Sequence, residues 1–182
     1  TERAKRIGKV PYYGATGQVG WIDSHLFDEE LILLGEDAAP FLEAYEDKAY
    51  LINGKSWVNN HAHVLKAKEG LINKFLLYFL NNFDYHAYVT GTTRLKLNQS
   101  RMIEIPIYLP SQGEQSLIVQ AIETQFTRLD AAVKSLTAVK KNLEIYRKAV
   151  LNKSFHGEGK TLSQITNTDK HSIKRGPFGG SL

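Results

Sequence analysis

The chain has 182 residues, a formal net charge of +4 and no cysteine, a length that allows one compact domain of roughly 110 residues plus a further long element. The lack of cysteine excludes a disulfide framework, a thiolate zinc site and a cysteine nucleophile, and no apolar run reaches the ~20 residues of a membrane span. Residues 1–110 carry 12 Lys and Arg against 13 Asp and Glu, so bulk charge is weak evidence for a nucleic-acid partner.

The first predicted element is a strand, a turn and a second strand over residues 10–22, where aromatic residues accompany three glycines. Around this turn the polar and aromatic side chains that are candidates for nucleic-acid contact are Tyr12, Tyr13, Thr16 and Gln18. Residues 20–47 hold nine acidic residues and no Lys or Arg, which argues against a role near phosphate. Leu31–Leu34 is predicted to form a short buried strand.

Residues 49–53 and 57–66 are predicted to form a β-hairpin around Asn53-Gly54, because Asn-Gly is the strongest short hairpin signal. Side-chain amides after this turn suit bidentate contact with adenine. The candidate contacts in this segment are Lys55, Trp57, Asn59, Asn60 and His61.

Two weaker motifs lie in the same segment. Gly54-Lys55-Ser56 resembles the end of a phosphate-binding loop, but Ala49 stands where that loop requires its first glycine. His61 and His63 could bind a metal, yet no further ligand is evident nearby, so a pair of histidines on a strand face is the better interpretation.

Apolar residues between Leu71 and Phe83 recur at helical spacing and predict an amphipathic core helix. Residues 85–89, 94–98 and 103–107 are predicted to be extended, the last as an edge strand because it contains Pro106. A turn with small, flexible and basic side chains lies among them, able to reach phosphates and base edges. Its candidate contacts are Thr92, Thr93, Arg94, Lys96 and Asn98.

A long helix is predicted from Ser111, which forms a capping box with Glu114, to about residue 157. At ~1.5 Å per residue it would be roughly 65 Å long, more than the preceding domain needs for its own core. From Leu129 onward its apolar residues alternate in steps of three and four, as in a heptad seam that pairs with another helix. The predicted helix-pairing seam consists of Ile122, Leu129, Leu136, Val139, Leu143, Tyr146 and Val150.

No catalytic set is evident. No Ser, His and Asp residues have a recognisable spacing, no Asn-Pro-Pro-Tyr-like tetrapeptide for amino methylation occurs, and Glu46-Asp47-Lys48 lacks the upstream Pro-Asp of a nuclease. The sequence therefore predicts a non-enzymatic protein. Two classes are favoured: a nucleic-acid-reading head on a spacer helix, or a coiled-coil adaptor whose head binds protein. A self-contained enzyme is the weakest, third alternative.

Three segments together resemble the specificity subunit of type I restriction–modification systems. The first is residues 11–23 with Phe27-Asp28 and 33–37. The second is 91–98 running into 105–110 and Glu114-Gln115, and the third is the end of the long helix, 146–157.

This resemblance implies an α+β fold, with a mixed α/β target recognition domain followed by a long coiled-coil-forming helix. The expected boundaries are 1–110 for the recognition domain, expected to lack its N-terminal part, 111–157 for a conserved spacer helix, and 158–182 for a linker and the expected start of a second recognition domain. The sequence is accordingly expected to be a fragment of a longer protein.

The resemblance also implies a function. The chain would read one half of a bipartite double-stranded DNA target and bind no cofactor itself. Separate modification subunits would methylate adenine with S-adenosylmethionine, and restriction subunits would use ATP and Mg²⁺. The helix would pair antiparallel with its counterpart in the other half of the subunit or in a second copy, in the cytoplasm of a bacterium or archaeon.

Overall fold

A computed structural model describes residues 6–157 and 159–166. Its contacts divide the chain into two units, Thr1–Arg128 and Leu129–Leu182, and the first of these is called the head below. Most of the segment 158–182, where a second recognition domain was predicted to begin, lies outside the described residues.

Within residues 6–128 of the head, seven strands form two sheets. They are β1 (Val10–Gly14), β2 (Gly17–Ile22), β3 (Phe27–Asp28), β4 (Leu31–Gly35), β5 (Ala49–Ile52), β6 (Lys55–Val58) and β7 (Ala62–Leu65). The first sheet has the order β2-β1-β6-β3, and the second has the order β5-β4-β7. Neighbours are antiparallel except β1 and β6, which are parallel.

The helices are α1 (Asn73–Asn82), α2 (Gln99–Met102), α3 (Gln112–Ser154) and α4 (Leu162–Ile165). Strands followed by one long helix confirm the predicted α+β class. Among the described residues, the helices include none with the length and apolar character that crossing a bilayer demands.

β4 is the centre of the head because both of its faces are buried. Ile32 and Leu34 pack with Leu76 and Leu80 of α1 on one side, while Leu31 and Leu33 face the first sheet. Alternate residues of a strand point to opposite faces, so an unbroken apolar run is expected where both faces are covered. Each such side chain contributes roughly 1.5–3 kcal/mol by leaving water.

The predicted hairpin around Asn53-Gly54 is wrong. The chain does turn at Gly54, whose φ is +75°, but β5 then pairs with β4 in the second sheet, while β6 pairs with β1 and β3 in the first. The predicted second strand, 57–66, is likewise split between β6 and β7. An Asn-Gly turn specifies a change of direction, and burial of Ile52 and Val58 between the two sheets decides which strands become partners.

Two predicted strands near the end of the head are also wrong. Residues 85–88 form a turn in which the Tyr85 carbonyl accepts hydrogen bonds from the amides of Tyr88 and Val89. The fully buried Tyr85 donates its hydroxyl hydrogen to the Leu80 carbonyl at 2.9 Å. Residues 103–109 have no strand partner and follow α2 as irregular chain. Short alternating runs do not reveal whether a sheet edge is available to them.

The start of α3 belongs to the head, whereas the sequence placed the end of the compact domain at residue 110. The predicted capping box forms: the Ser111 amide donates to Glu114 Oε2 at 2.9 Å, and the Glu114 amide donates to Ser111 Oγ at 3.3 Å. Gln115 and Val119 are then buried. Farther along, Lys74 of α1 forms an ion pair with Glu123, and the Tyr78 ring meets Phe126 edge-on at 5.9 Å.

The described residues of the second unit form the rest of α3 and the short α4. Most of the predicted seam lies in this part of α3, with side chains that are largely exposed: Leu129 (59%), Leu136 (67%), Val139 (50%), Leu143 (62%), Tyr146 (69%) and Val150 (43%). Ile122 is half-buried in the head. An apolar stripe this long and this exposed on one helix is typical of a surface that pairs with another helix.

Candidate nucleic-acid interface

Two turns from different sheets lie against each other at one edge of the head. The turn between β1 and β2 brings the Ala15 carbonyl to 3.2 Å from the position that a Cβ on Gly35 would occupy. That Cβ would also lie 2.4 Å from the Cβ of Ala39, so only glycine fits there. The end of β4 and the first hairpin are thereby held close together.

The connection between β6 and β7 joins the same edge. The Asn59 amide donates to the Tyr13 carbonyl at 3.0 Å, and the Asn59 side chain lies over Gly14. Asn59 Oδ1 accepts a hydrogen bond from the His61 amide at 2.9 Å. Tyr50 fixes the hairpin from below by donating its hydroxyl to the Gly14 carbonyl at 2.5 Å, and burial raises the pKa of Tyr50 above its ordinary value.

Residues 90–98 form the fourth loop of this edge, attached by backbone hydrogen bonds. The Ala38 amide donates to the Leu95 carbonyl at 3.1 Å, and the Leu97 amide donates to the Glu36 carbonyl at 2.7 Å. His63 Nε2 donates to the Leu97 carbonyl at 2.7 Å. Because Leu97 is fully buried, the loop is anchored in the core rather than lying loosely on the surface.

Charged side chains meet where these loops converge. His61 Nδ1 lies 2.8 Å from Asp37 Oδ1, and Arg94 Nη2 lies 3.3 Å from Asp37 Oδ2. Lys96 Nζ lies 3.0 Å from Glu36 Oε1. The two carboxylates are the more buried partners, with side chains 18% and 25% exposed, whereas Arg94 and Lys96 are 61% and 47% exposed. The basic groups are therefore the outer layer.

The surface formed by residues 14–17, 35–38, 59–61 and 90–98 is called the four-loop edge. It gathers many of the residues that the sequence singled out, namely Thr16, Asn59, Asn60, His61, Thr92, Thr93, Arg94 and Lys96. Asn98 is half-buried at the base of the last loop, where its carbonyl accepts from the amides of Arg101 and Met102. Predicted contacts from three of the four loops thus share one surface, which spacing along the chain did not establish.

The remaining predicted contacts lie on the first sheet, outside the four loops. Lys55 opens β6 beside Asp28 of β3, at the opposite end of the strand from Asn59. Trp57 pairs with Tyr12 across the parallel register, and the Arg6 guanidinium lies 4.2 Å from the centroid of the Trp57 ring.

The last two predicted contacts of the hairpin have local partners. Gln18 Nε2 donates to the Gly20 carbonyl at 3.1 Å. The half-buried Tyr13 packs its ring 6.0 Å from that of Tyr50, so its side chain supports the hairpin from inside.

Sequence analysis missed Glu36 and Asp37, because the acidic composition of residues 20–47 argued against a role near phosphate. The backbone antiparallel bridge between Asp37 and Lys96 places these acids directly beside the basic loop. The signal available in advance was the Gly35-Glu36-Asp37 triplet within the segment that resembles a known family. Its pairing with a loop some sixty residues later is set by tertiary structure.

The two histidines have protein partners, Asp37 for His61 and the Leu97 carbonyl for His63. Within residues 6–157 and 159–166, no cluster of three or more His, Cys, Asp or Glu side chains could hold a metal ion. The described part of the edge offers amides and cations over two carboxylates, and amides and cations are groups that contact phosphates and base edges in protein–DNA complexes.

Comparison with known proteins identifies relatives of the whole arrangement. The family model for the type I restriction modification DNA specificity domain matches residues 2–146. A putative type I restriction enzyme specificity subunit of Haemophilus influenzae, S.HindORF215P, is 34% identical over 116 residues, covering 64% of this chain and 30% of that protein. The type I restriction enzyme EcoDI specificity subunit of Escherichia coli is 23% identical over 158 residues, covering 85% of this chain and 34% of that protein.

Solved structures share the fold. A chain from a type I restriction–modification system, studied for its complex assembly and conformational transition, aligns with a TM-score of 0.63 and 17% identity over 83% of this chain and 39% of its own. The S subunit from M. genitalium aligns with a TM-score of 0.51 and 20% identity over 78% of this chain and 36% of its own.

This chain spans about a third of the length of these curated relatives, 30% and 34%. The family model, in contrast, matches most of the chain, from the first strands through the greater part of α3. The chain therefore belongs to the family of type I restriction–modification DNA specificity domains.

Proposed function

We propose that the head reads one half of a bipartite DNA target through the four-loop edge, as part of the specificity subunit of a type I restriction–modification complex. The observation that carries the proposal is the convergence of Asn59, His61, Arg94 and Lys96 from separate parts of the chain onto one surface. Amides, imidazoles and guanidinium groups on adjoining loops match the donors and acceptors that base edges present in the major groove.

Each group has a distinct chemical capacity. A guanidinium such as that of Arg94 can donate to both acceptors of a guanine edge, O6 and N7. An asparagine amide such as that of Asn59 or Asn60 can donate to N7 of adenine and accept from its N6 amino group. The Lys96 ammonium is a point charge suited to phosphate, which fixes register without reading sequence. The backbone bonds between residues 36–38 and 95–97 hold these groups on a fixed frame.

The chain contributes recognition in this proposal and takes no part in the chemistry. Its relatives are named specificity subunits. Methylation of adenine from S-adenosylmethionine would fall to modification subunits, and ATP- and Mg²⁺-dependent cleavage to restriction subunits, all in the bacterial cytoplasm. This chain would position those partners on the DNA.

The exposed stripe of α3 supports a second part of the proposal. Six apolar seam residues with side chains 43–69% exposed would pair with an antiparallel equivalent helix, from the other half of the subunit or from a second copy. DNA repeats its groove about every 34 Å, so the length of a paired helix would set the spacing between the two half-sites.

The proposal is tested by expressing the specificity subunit that contains this chain together with its modification subunits in a host lacking adenine methylation. Sequencing the methylated adenines should reveal one bipartite motif. Exchanging the head for that of a relative should change one half of the motif and leave the other half intact. A gel shift with the recovered target at two salt concentrations completes the test, because binding through phosphates weakens steeply with salt. Binding to protein alone, with no duplex DNA bound at either concentration, would reject the proposal.

A further inference from the structure

The two cations of the four-loop edge, Arg94 and Lys96, each form an ion pair with an acidic side chain of the same edge. Arg94 pairs with Asp37 at 3.3 Å, and Lys96 pairs with Glu36 at 3.0 Å. The four formal charges cancel. A surface built only to attract phosphate would leave its cations without internal acids, because net positive potential is what draws nucleic acid irrespective of sequence.

The acids are fixed more firmly than the bases. Asp37 and Glu36 are the less exposed partners of the two pairs, and their backbone is held on both sides. The Glu36 amide donates to the His61 carbonyl at 2.8 Å, and the Ala38 amide donates to the Leu95 carbonyl at 3.1 Å. Asp37 is further bonded to His61. The long side chains of Arg94 and Lys96 can therefore swing away, while the carboxylates stay in place.

We infer that Glu36 and Asp37 are specificity-determining residues that suppress binding to DNA of the wrong sequence. This inference rests on the proposed function of the four-loop edge. When Arg94 and Lys96 bind phosphates without any contact to base edges, they leave the two carboxylates beneath the DNA backbone. The negative charges of the carboxylates and the phosphates then repel each other. At the correct sequence, contacts to base edges offset that repulsion. Glu36 and Asp37 thus weaken binding that depends on phosphate contacts only. They increase the specificity of binding and do not increase its affinity.

The test removes one negative charge at a time with isosteric changes, Asp37→Asn and Glu36→Gln. Glu29→Gln is the matched control, because Glu29 forms an ion pair with Lys66 outside the four-loop edge. Each variant is assembled as the whole specificity subunit with its modification subunits. Dissociation constants are measured over a range of salt for two duplexes, the target recovered by methylation mapping and the same bases in shuffled order.

We expect either change at the edge to tighten binding of the shuffled duplex about three- to tenfold at low salt, the size of effect that one nearby charge has in a solvated setting. The ratio of target to shuffled affinity should fall. The salt dependence for shuffled DNA should steepen by up to about 0.9 in the logarithmic slope for each released cation. The control should leave that ratio unchanged.

A double variant separates repulsion by Asp37 from its pairing with Arg94. In an Arg94→Ala background, the further change Asp37→Asn should still tighten binding of the shuffled duplex, because the Asp37 carboxylate repels phosphate whether or not Arg94 is present. A thermal unfolding scan shows whether each variant folds. If Asp37→Asn does not fold, Glu36→Gln tests the inference independently.

Unchanged or weaker binding of shuffled DNA in both folded single variants would overturn the inference and make the acids mere supports for the basic side chains. That outcome differs from failure of the proposed function, in which the unaltered assembly itself shows no preference for any duplex.

Discussion

The side-chain amide of Gln115 donates a hydrogen bond to the Gly70 carbonyl at 2.9 Å, across forty-five positions of sequence. The same amide donates to the Pro110 carbonyl at 3.0 Å, and Gln115 Oε1 accepts from the Ile72 amide at 2.9 Å. Gln115 has no exposed surface. One buried side chain thus satisfies backbone groups from the loop before α1 and from the approach to α3, which fastens the first turns of the long helix to the head.

Replacing Gln115 with Ala should lower the free energy of unfolding by about 2–4 kcal/mol, because several buried backbone groups would lose their partner at ~1–3 kcal/mol each. Urea unfolding followed by circular dichroism measures the change. Gln120→Ala, at an exposed position of the same helix, is the control and should shift stability by less than about 0.5 kcal/mol. Equal effects of the two changes would show that the buried amide does not fasten α3.

The ion pair between Lys74 and Glu123 predicts a dependence on pH. The hydrogen bond from the Lys74 ammonium lowers the pKa of Glu123 below its ordinary value of 4.5, and the same contact raises the pKa of Lys74. The contribution of Glu123 to stability is therefore present above pH 4.5 and is lost as the pH falls through the lowered pKa of the folded state. The contribution of Lys74 is lost only in strong alkali, as the pH rises through its raised pKa.

We expect Glu123→Gln to lower the midpoint of thermal unfolding at neutral pH and to match the unaltered protein in acid below the folded pKa. Unfolding scans at a series of pH values give both results. Glu144→Gln, which removes a carboxylate from an exposed position of α3, is the control. A difference between Glu123→Gln and the unaltered protein that stayed constant into acid would mean that packing, and not charge, is the cause.

Arg94 and Lys96 should respond differently to substitution if the four-loop edge reads DNA. Arg94→Ala should cost about 1–3 kcal/mol at the target and relax the preference at one base position, whereas Lys96→Ala should weaken all sequences alike and reduce the salt slope by about 1. Fluorescence anisotropy with target and shuffled duplexes separates the two patterns. Arg101→Ala is the control, since Arg101 pairs with Glu104 on the neighbouring helix segment. Unchanged binding and methylation in both variants would remove this loop from the interface.

The seam of α3 makes its own prediction. Leu136→Asp places a charge in the middle of the exposed apolar stripe and should abolish helix pairing, because a charge at a core position of a coiled coil cannot be paired or hydrated there. Light scattering gives the mass of the assembly. Ala138→Asp adds the same charge two residues away, off the seam, and should leave that mass unchanged. A dimer that survives Leu136→Asp would exclude the stripe as the pairing surface.

Local signals predicted the elements that local chemistry decides. The glycine turn after β1, the unbroken apolar run of β4, the helical spacing of α1 and the Ser111–Glu114 capping box all appear as expected. Each of these features depends on residues within a few positions of one another, so the local sequence is enough to predict it.

Long-range pairing was beyond such signals. The parallel pairing of β1 with β6 carries Asn59 to the first hairpin, and nothing near Asn59 in the sequence specifies that partner. The same holds for Asp37 and Arg94, whose contact depends on an antiparallel bridge between distant loops. The candidate residues could therefore be identified from their residue types. Which of them lie on the four-loop edge and which lie on the first sheet with Trp57 could be seen only in the fold.

The strands from β3 to β7 do not fill one sheet before starting the other. The chain leaves the first sheet after β3, builds β4 and β5 in the second, returns for β6, and leaves again for β7. Neither layer can be completed without the other, so the head should fold in a single cooperative step and tolerate cuts or insertions poorly between residues 52 and 62. An engineer seeking a new sequence preference would accordingly do better to transplant the head as one piece than to graft individual loops.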